Sequence, residues 1–172
     1  MTDRIVATSD EMHRLGLELS AELRAGDLVV LDGPLGAGKT TLTRGVGAGL
    51  GVRGSVTSPT FVLARTHPSL HGGPALVHVD AYRLGSALEL DDLDIDYARS
   101  VVVVEWGAGL LHGVDESWLE IRIERPTGAS AVPDVGTLGA DGHDEGAGDE
   151  PRTVTITGIG PRWARTRYRA GA

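Results

Sequence analysis

A chain of 172 residues is long enough for one well-packed domain and too short for two comfortable ones. It has no cysteine, which excludes disulfides, thiolate catalysis and cysteine-ligated metal, and its net charge of −8 argues against broad electrostatic binding to nucleic acid. No amino-terminal apolar run and no stretch of transmembrane length occurs, so a cytoplasmic protein with no membrane or DNA partner is expected.

Residues 4–7 read as a strand leading into a helix whose start has the features of a capping box, with Thr8 as N-cap and Glu11 three residues on. Met12, Leu15, Leu19 and Leu23 fall on one face of that helix and make a core stripe. Residues 27–32 (DLVVLD) read as a short buried strand, and residues 40–50 as a helix closed by Gly51. Between them, Gly33-Pro34-Leu35-Gly36-Ala37-Gly38-Lys39-Thr40 fits the spacing G-x-x-x-x-G-K-[ST] without departure. Lys39 is the only lysine in the chain. Glycines between a strand and a helix let the backbone aim its N–H groups inward, where they and the helix N-terminus cradle phosphate oxygens. In such a loop Lys39 reaches the β/γ-phosphates and Thr40 offers its hydroxyl to Mg²⁺.

Ser58-Pro59-Thr60-Phe61 and residues 62–66 read as extended, since the residue before a proline is pushed out of the helical region. Residues 75–80 form the next expected strand, and the acidic stretch 86–96 a short helix. Four consecutive valines, Val101, Val102, Val103 and Val104, suggest a central strand buried on both faces, ending in Glu105-Trp106. Residues 118–124 (WLEIRIE) and 153–157 (TVTIT) alternate like half-buried strands. Between them, residues 127–150 hold six carboxylates, no lysine or arginine and little to bury, so a mobile insertion is expected. Arg162, Arg165, Arg167 and Arg169 read as the solvated face of a terminal helix. The pattern predicts a single α/β domain over residues 1–172.

A phosphate site alone does no chemistry; a carboxylate for a metal shell and a group to position water must be added. Asp80 and Glu105 both end expected strands, and ligands in open α/β sheets lie beyond the carboxyl ends of strands. The histidines do not have the spacing of a zinc centre: His67, His71 and His78 are scattered over a loop and a strand.

The loop ending Gly-Ala-Gly-Lys-Thr-Thr, then Ser58-Pro59-Thr60-Phe61, then His78-Val79-Asp80-Ala81-Tyr82-Arg83-Leu84, then Val104-Glu105-Trp106, resembles the bacterial TsaE family, also called YjeE. The resemblance runs from about residue 8 to about residue 106, with a weaker tail near Arg152. It implies a P-loop NTPase fold with a mostly parallel central sheet, helices on both faces and added antiparallel strands. It implies an ATPase required for threonylcarbamoylation of adenosine 37 (t6A) in tRNAs that read codons beginning with adenine. In that system the family member joins the transferase subunit TsaD and its paralogue TsaB, meets tRNA only through them, and resets the complex by hydrolysing ATP. By resemblance, Gly36, Ala37, Gly38, Lys39, Thr40 and Thr41 hold the phosphates, and Thr40 and Glu105 hold Mg²⁺. Lys39, Asp80 and Glu105 serve catalysis, Asp80 through the outer metal shell or the attacking water. Glu11 would lie near the adenine, Arg152 near the nucleotide, and Ser58 to Phe61 would be a switch loop. Pro34 and Met12 depart from the usual family pattern, and Pro34 removes one loop N–H.

Two other classes fit a phosphate loop: a small-molecule kinase, which needs an acceptor pocket, and a nucleotide-gated interaction module with negligible turnover. A guanine-specific switch does not fit, because its Asn-Lys-x-Asp motif needs a second lysine.

Overall fold

The computed structural model describes residues 1–84, 86, 89–90, 92–107, 115–125 and 150–171. Within them the chain builds one seven-stranded sheet and two α-helices, α1 (Ser9–Ser20) and α2 (Lys39–Gly49). The strands are β1 (Thr2–Val6), β2 (Leu28–Asp32), β3 (Ala64–His67), β4 (Ala75–Asp80), β5 (Ser100–Glu105), β6 (Trp118–Glu124) and β7 (Arg152–Ile159). Their spatial order is β1-β7-β6-β2-β5-β4-β3. β6, β2, β5 and β4 run parallel, while β3 pairs with β4, β7 with β6 and β1 with β7 antiparallel. β2, which feeds the glycine-rich loop, thus lies between β5 and β6, and side chains leaving either neighbour at its carboxyl end meet that loop.

Alternation along the strands sorts their residues into two cores. Val29, Leu31, Leu76, Val101, Val103, Ile121 and Ile123 face α1 and α2, joining Met12, Leu15, Leu19, Leu42 and Val46. Leu28, Val30, Val77, Val79, Val102 and Val104 face the other way, against Ala81, Leu90, Leu93 and Ile95. The valine run is buried on both faces, as its composition predicts, and each valine hidden in this way contributes about 1.5–3 kcal/mol of transfer free energy. Both described α-helices therefore lie on one face. Helices on both faces were the expectation; among the described residues, the second face is covered by the segment after β4, including the helical Leu90, and by short 3-10 turns at Ala81–Arg83 and Tyr97–Arg99. Of the helix expected over residues 86–96, Glu89 and Leu90 are helical, and residues 87, 88 and 91 lie outside the described residues, as do residues 127–149 of the expected insertion.

Both helix caps follow from sequence. Thr8 Oγ1 accepts from the Glu11 N–H at 3.1 Å, and Glu11 Oε2 accepts from the Ala7 N–H at 2.7 Å, one residue before the position a capping box would use. At the far end of α2, Gly51 is left-handed (φ 63°); its N–H reaches the Ala48 carbonyl, and the Val52 N–H reaches Gly47. That pair of bonds is a Schellman close, which ends the helix where Gly51 predicts.

The two helices touch backbone to backbone. A Cβ on Gly45 would lie 2.1 Å from the His13 carbonyl oxygen, and one on Gly16 would lie 2.2 Å from the Leu42 carbonyl oxygen. Neither neighbour can rotate aside.

The C-terminal segment is not the expected helix, although Arg165, Arg167 and Arg169 are exposed as expected and Arg162 is not. Residues 161–169 form successive turns, with Trp163 buried in the helix-side core. Arg162 donates to both carboxylate oxygens of buried Asp27 at 2.9 Å and to the Glu22 carbonyl at 2.9 Å, while Arg167 pairs with Glu22. Gly160 takes φ 82° and Pro161 follows it, so the chain leaves β7 in a turn, and the Gly158 N–H then donates to the Tyr168 carbonyl. Arg162, Arg165 and Arg169 have helical spacing, but burial of Trp163 dictates the path instead.

Candidate nucleotide-binding site

Beyond Asp32 the chain turns through Gly33 (φ 150°) and Gly38 (φ 108°), conformations that a side chain would strain, before α2 begins at Lys39. A Cβ on Gly33 would also lie 2.6 Å from the Ile123 carbonyl oxygen, so this glycine lets the loop start against β6. Gly38 caps α2 with no side-chain hydrogen bond, and the first turn carries no acidic residue. Its N–H groups are therefore not matched to an internal anion, the arrangement in which a helix start receives phosphate. Pro34, although it lacks an N–H, serves as an acceptor, its carbonyl taking the Ala37 N–H at 3.1 Å.

Lys39 is buried and bent back over the loop. Nζ donates to the Gly33 carbonyl at 2.8 Å and to the Pro34 carbonyl at 3.0 Å, and it lies 3.7 Å from the centre of the Trp106 ring. An ammonium has three donors, so one remains for a phosphate oxygen. Burial lowers its pKa from the ordinary lysine value, partly offset by the negative charges of Glu105, Asp32 and Asp80. Trp106 holds its place through a left-handed backbone (φ 64°), an N–H bond to the Leu31 carbonyl at 3.0 Å and an edge contact with Tyr82 at 5.5 Å between ring centres. A non-glycine residue in that conformation costs of order 1 kcal/mol or more and persists only where its surroundings fix it.

The two strand-end acids are brought together. Asp80 and Glu105 are directly paired in the parallel β4–β5 register, and Leu31 of β2 is opposite Glu105, so both carboxylates sit at the carboxyl edge beside the loop. Each is only 5% exposed. Glu105 Oε1 lies 3.2 Å from Thr40 Oγ1 and 2.8 Å from Nε2 of the fully buried His78, which shares the helix-facing side of β4 with Asp80. Asp80 Oδ1 accepts from the Tyr82 N–H at 3.0 Å and so caps the turn after its strand. Thr40, Glu105 and Asp80 offer hard oxygens alone, a donor set that suits Mg²⁺ and not a soft metal.

The remaining expected residues are spread along the same edge. Glu11 is engaged in the α1 cap, and Gly38 packs on Met12, a Cβ there lying 3.3 Å from Met12 Cε, so the start of α1 abuts the loop. Arg152 opens β7 opposite Val6 and is 2% exposed, and β7 lies between β1 and β6. The segment expected to be extended at residues 58–66 instead makes a turn: the Pro59 carbonyl accepts from the Val62 and Leu63 N–H groups, and β3 starts only at Ala64. Proline favours such a turn because its φ is preset. Arg83 donates to the Thr60 carbonyl and pins the turn, at whose tip Phe61 is 94% exposed.

Sequence reasoning missed two contacts. His78, set aside there as a metal ligand, is the partner of Glu105. Arg125, just past β6, donates from Nη2 to the Gly36 carbonyl at 2.6 Å. Strand parity and the neighbouring acid motif hinted at the first; the second depends on β6 lying next to β2.

Comparison with known proteins gives a consistent picture. The family model for the threonylcarbamoyl adenosine biosynthesis protein TsaE matches residues 6–131. The chain is 56% identical over 156 residues to the tRNA threonylcarbamoyladenosine biosynthesis protein TsaE of Streptomyces coelicolor, covering 89% of this chain and 94% of that protein. It is 33% identical to the Bacillus subtilis protein of the same name over 157 residues, 90% of this chain and 84% of that one. The crystal structure of YdiB from Bacillus subtilis superposes with a TM-score of 0.65 at 26% identity, covering 97% of this chain and 88% of that one.

Proposed function

This chain belongs to the TsaE family and acts in the formation of t6A in tRNA, and we propose that it does so as a Mg²⁺-dependent ATPase with a single-domain P-loop NTPase fold. The observation that carries this reading is the convergence of Lys39, Thr40, Glu105 and Asp80 on one glycine-rich loop at the carboxyl edge of a parallel sheet. Substrate is ATP, with the phosphates on the amides of Gly36, Ala37, Gly38, Lys39, Thr40 and Thr41, and Glu11 and Arg152 flank the rest of the nucleotide. Thr40 and Glu105 would hold Mg²⁺, which would supply charge neutralisation to the phosphates. Lys39 binds the same phosphates from the Trp106 side, where its burial strengthens the attraction. Asp80 orients the water that attacks the γ-phosphorus as the bond to the β–γ bridging oxygen breaks, giving ADP and phosphate.

His78 positions Glu105. Replacing His78 with leucine should raise the Mg²⁺ concentration needed for half-maximal phosphate release about tenfold, whereas His78→Gln, which can present an N–H near the same place, should stay within about threefold. An unchanged Mg²⁺ requirement in the leucine variant would detach His78 from the site.

The protein works in the cytoplasm with the TsaD transferase subunit and TsaB, reaching tRNA through them and resetting that complex by ATP hydrolysis. Its exposed turn at residues 59–63, tipped by Phe61 and pinned by Arg83, is the element that changes shape. Phosphate release is expected to be slow for the chain alone and at least about tenfold faster with TsaB and TsaD of the same organism. Equal rates with and without them, or transfer of the phosphoryl group to a small-molecule acceptor, would overturn the accessory-ATPase reading.

A further inference from the structure

Arg125 follows β6, the strand that flanks β2 on the side away from β5. Its Nη2 donates to the Gly36 carbonyl at 2.6 Å, and a Cβ on Gly36 would lie 3.0 Å from that nitrogen, so the guanidinium rests on the loop where the loop has no side chain. Among the described residues it has no carboxylate partner, and its Nε is buried with no hydrogen bond. A guanidinium carries five donors, and a half-buried positive charge held by one neutral carbonyl is poorly compensated. The anion this loop is shaped to receive is a phosphate chain. Lys39 and Thr40 approach that chain from the β5 side, through Trp106 and Glu105, and Arg125 approaches it from the β6 side.

We propose that Arg125 is a catalytic residue supplied in cis, whose guanidinium contacts the terminal phosphate of bound ATP and stabilises the charge that develops there during hydrolysis. This rests on the ATPase reading above. A planar fork beside a transferring phosphoryl group is worth large factors because it acts where charge changes, not where it is constant. Retaining the Gly36 bond keeps the fork at the rim of the loop with little left to reorganise.

The test compares the full-length protein with Arg125→Gln and Arg125→Lys. Glutamine can still donate to the Gly36 carbonyl but carries no charge. Titration with ADP should give affinities within about threefold of wild type, while the non-hydrolysable analogue AMP-PNP weakens about tenfold and phosphate release falls at least about tenfold in the glutamine variant. Lysine should recover part of the AMP-PNP affinity and less of the rate. Equal weakening of ADP and AMP-PNP would make Arg125 a brace for the loop and overturn the proposal, as would a wild-type rate in Arg125→Gln. Failure of wild-type protein to bind either nucleotide would sink the ATPase reading itself, and with it this role for Arg125.

Discussion

Lys39→Ala should lower ATP affinity or turnover about a hundredfold, equivalent to about 2.7 kcal/mol. Lys39 is the only lysine in the chain, and its ammonium is gripped by the Gly33 and Pro34 carbonyls and backed by the Trp106 ring at 3.7 Å, so no other lysine can take its place at the phosphates. Lys39→Arg should not rescue it, because a planar fork does not fit a slot built around a point charge. Folding should not suffer from the alanine change: burial already lowers the pKa of Lys39, a sign that the folded state bears a desolvation cost for holding the charge. Nucleotide titration, phosphate release and a urea melt on the same variant separate these effects. A wild-type titration and rate would mean that the loop does not bind phosphate.

Gly45→Val should be severely destabilising, costing more than about 3 kcal/mol. The added Cβ would stand 2.1 Å from the His13 carbonyl oxygen, and relief requires α1 and α2 to separate along their whole contact. That contact also sets the site, since α1 brings Met12 against Gly38 while α2 begins at Lys39. Gly45→Ala should already lose more than about 1 kcal/mol, although alanine ordinarily favours a helix over glycine by about that amount. Denaturant midpoints for the two variants measure the crossing directly, and an alanine variant as stable as wild type would show that the helices can part without penalty.

Local pattern and long-range placement divide what the sequence made legible. Strands β4 and β6 begin and end where alternation predicts, and the glycine loop has its fixed spacing between strand and helix, because these features depend on neighbours a few residues away. Asp80 and Glu105 were recognisable as strand-end acids, but their pairing depends on β4 lying beside β5. The Arg125 contact with Gly36 spans 89 residues and the His78 contact with Glu105 spans 27, and no periodicity encodes either. Arg162 misled for a related reason: an arginine reads as a solvated charge until the chain folds a carboxylate around it. That α1 and α2 share one face was likewise hidden, since a stripe such as Met12, Leu15 and Leu19 says that a helix has a core side but not which side of the sheet receives it.

Four identical valines in β5 leave the pairing frame of that strand undetermined by apolar burial. Sliding it by one position against β2 and β4 would put a valine where a valine stood at most of its positions, yet would turn every side chain to the opposite face. Glu105 would then enter the layer of Val79, Val104 and Leu90, stripped of Thr40 and His78. A carboxylate stranded there costs several kcal/mol, more than the slip could recover. The acid at the end of the strand is thus its alignment mark: the residue that serves the site also tells the folding chain which of two near-equivalent pairings is the native one.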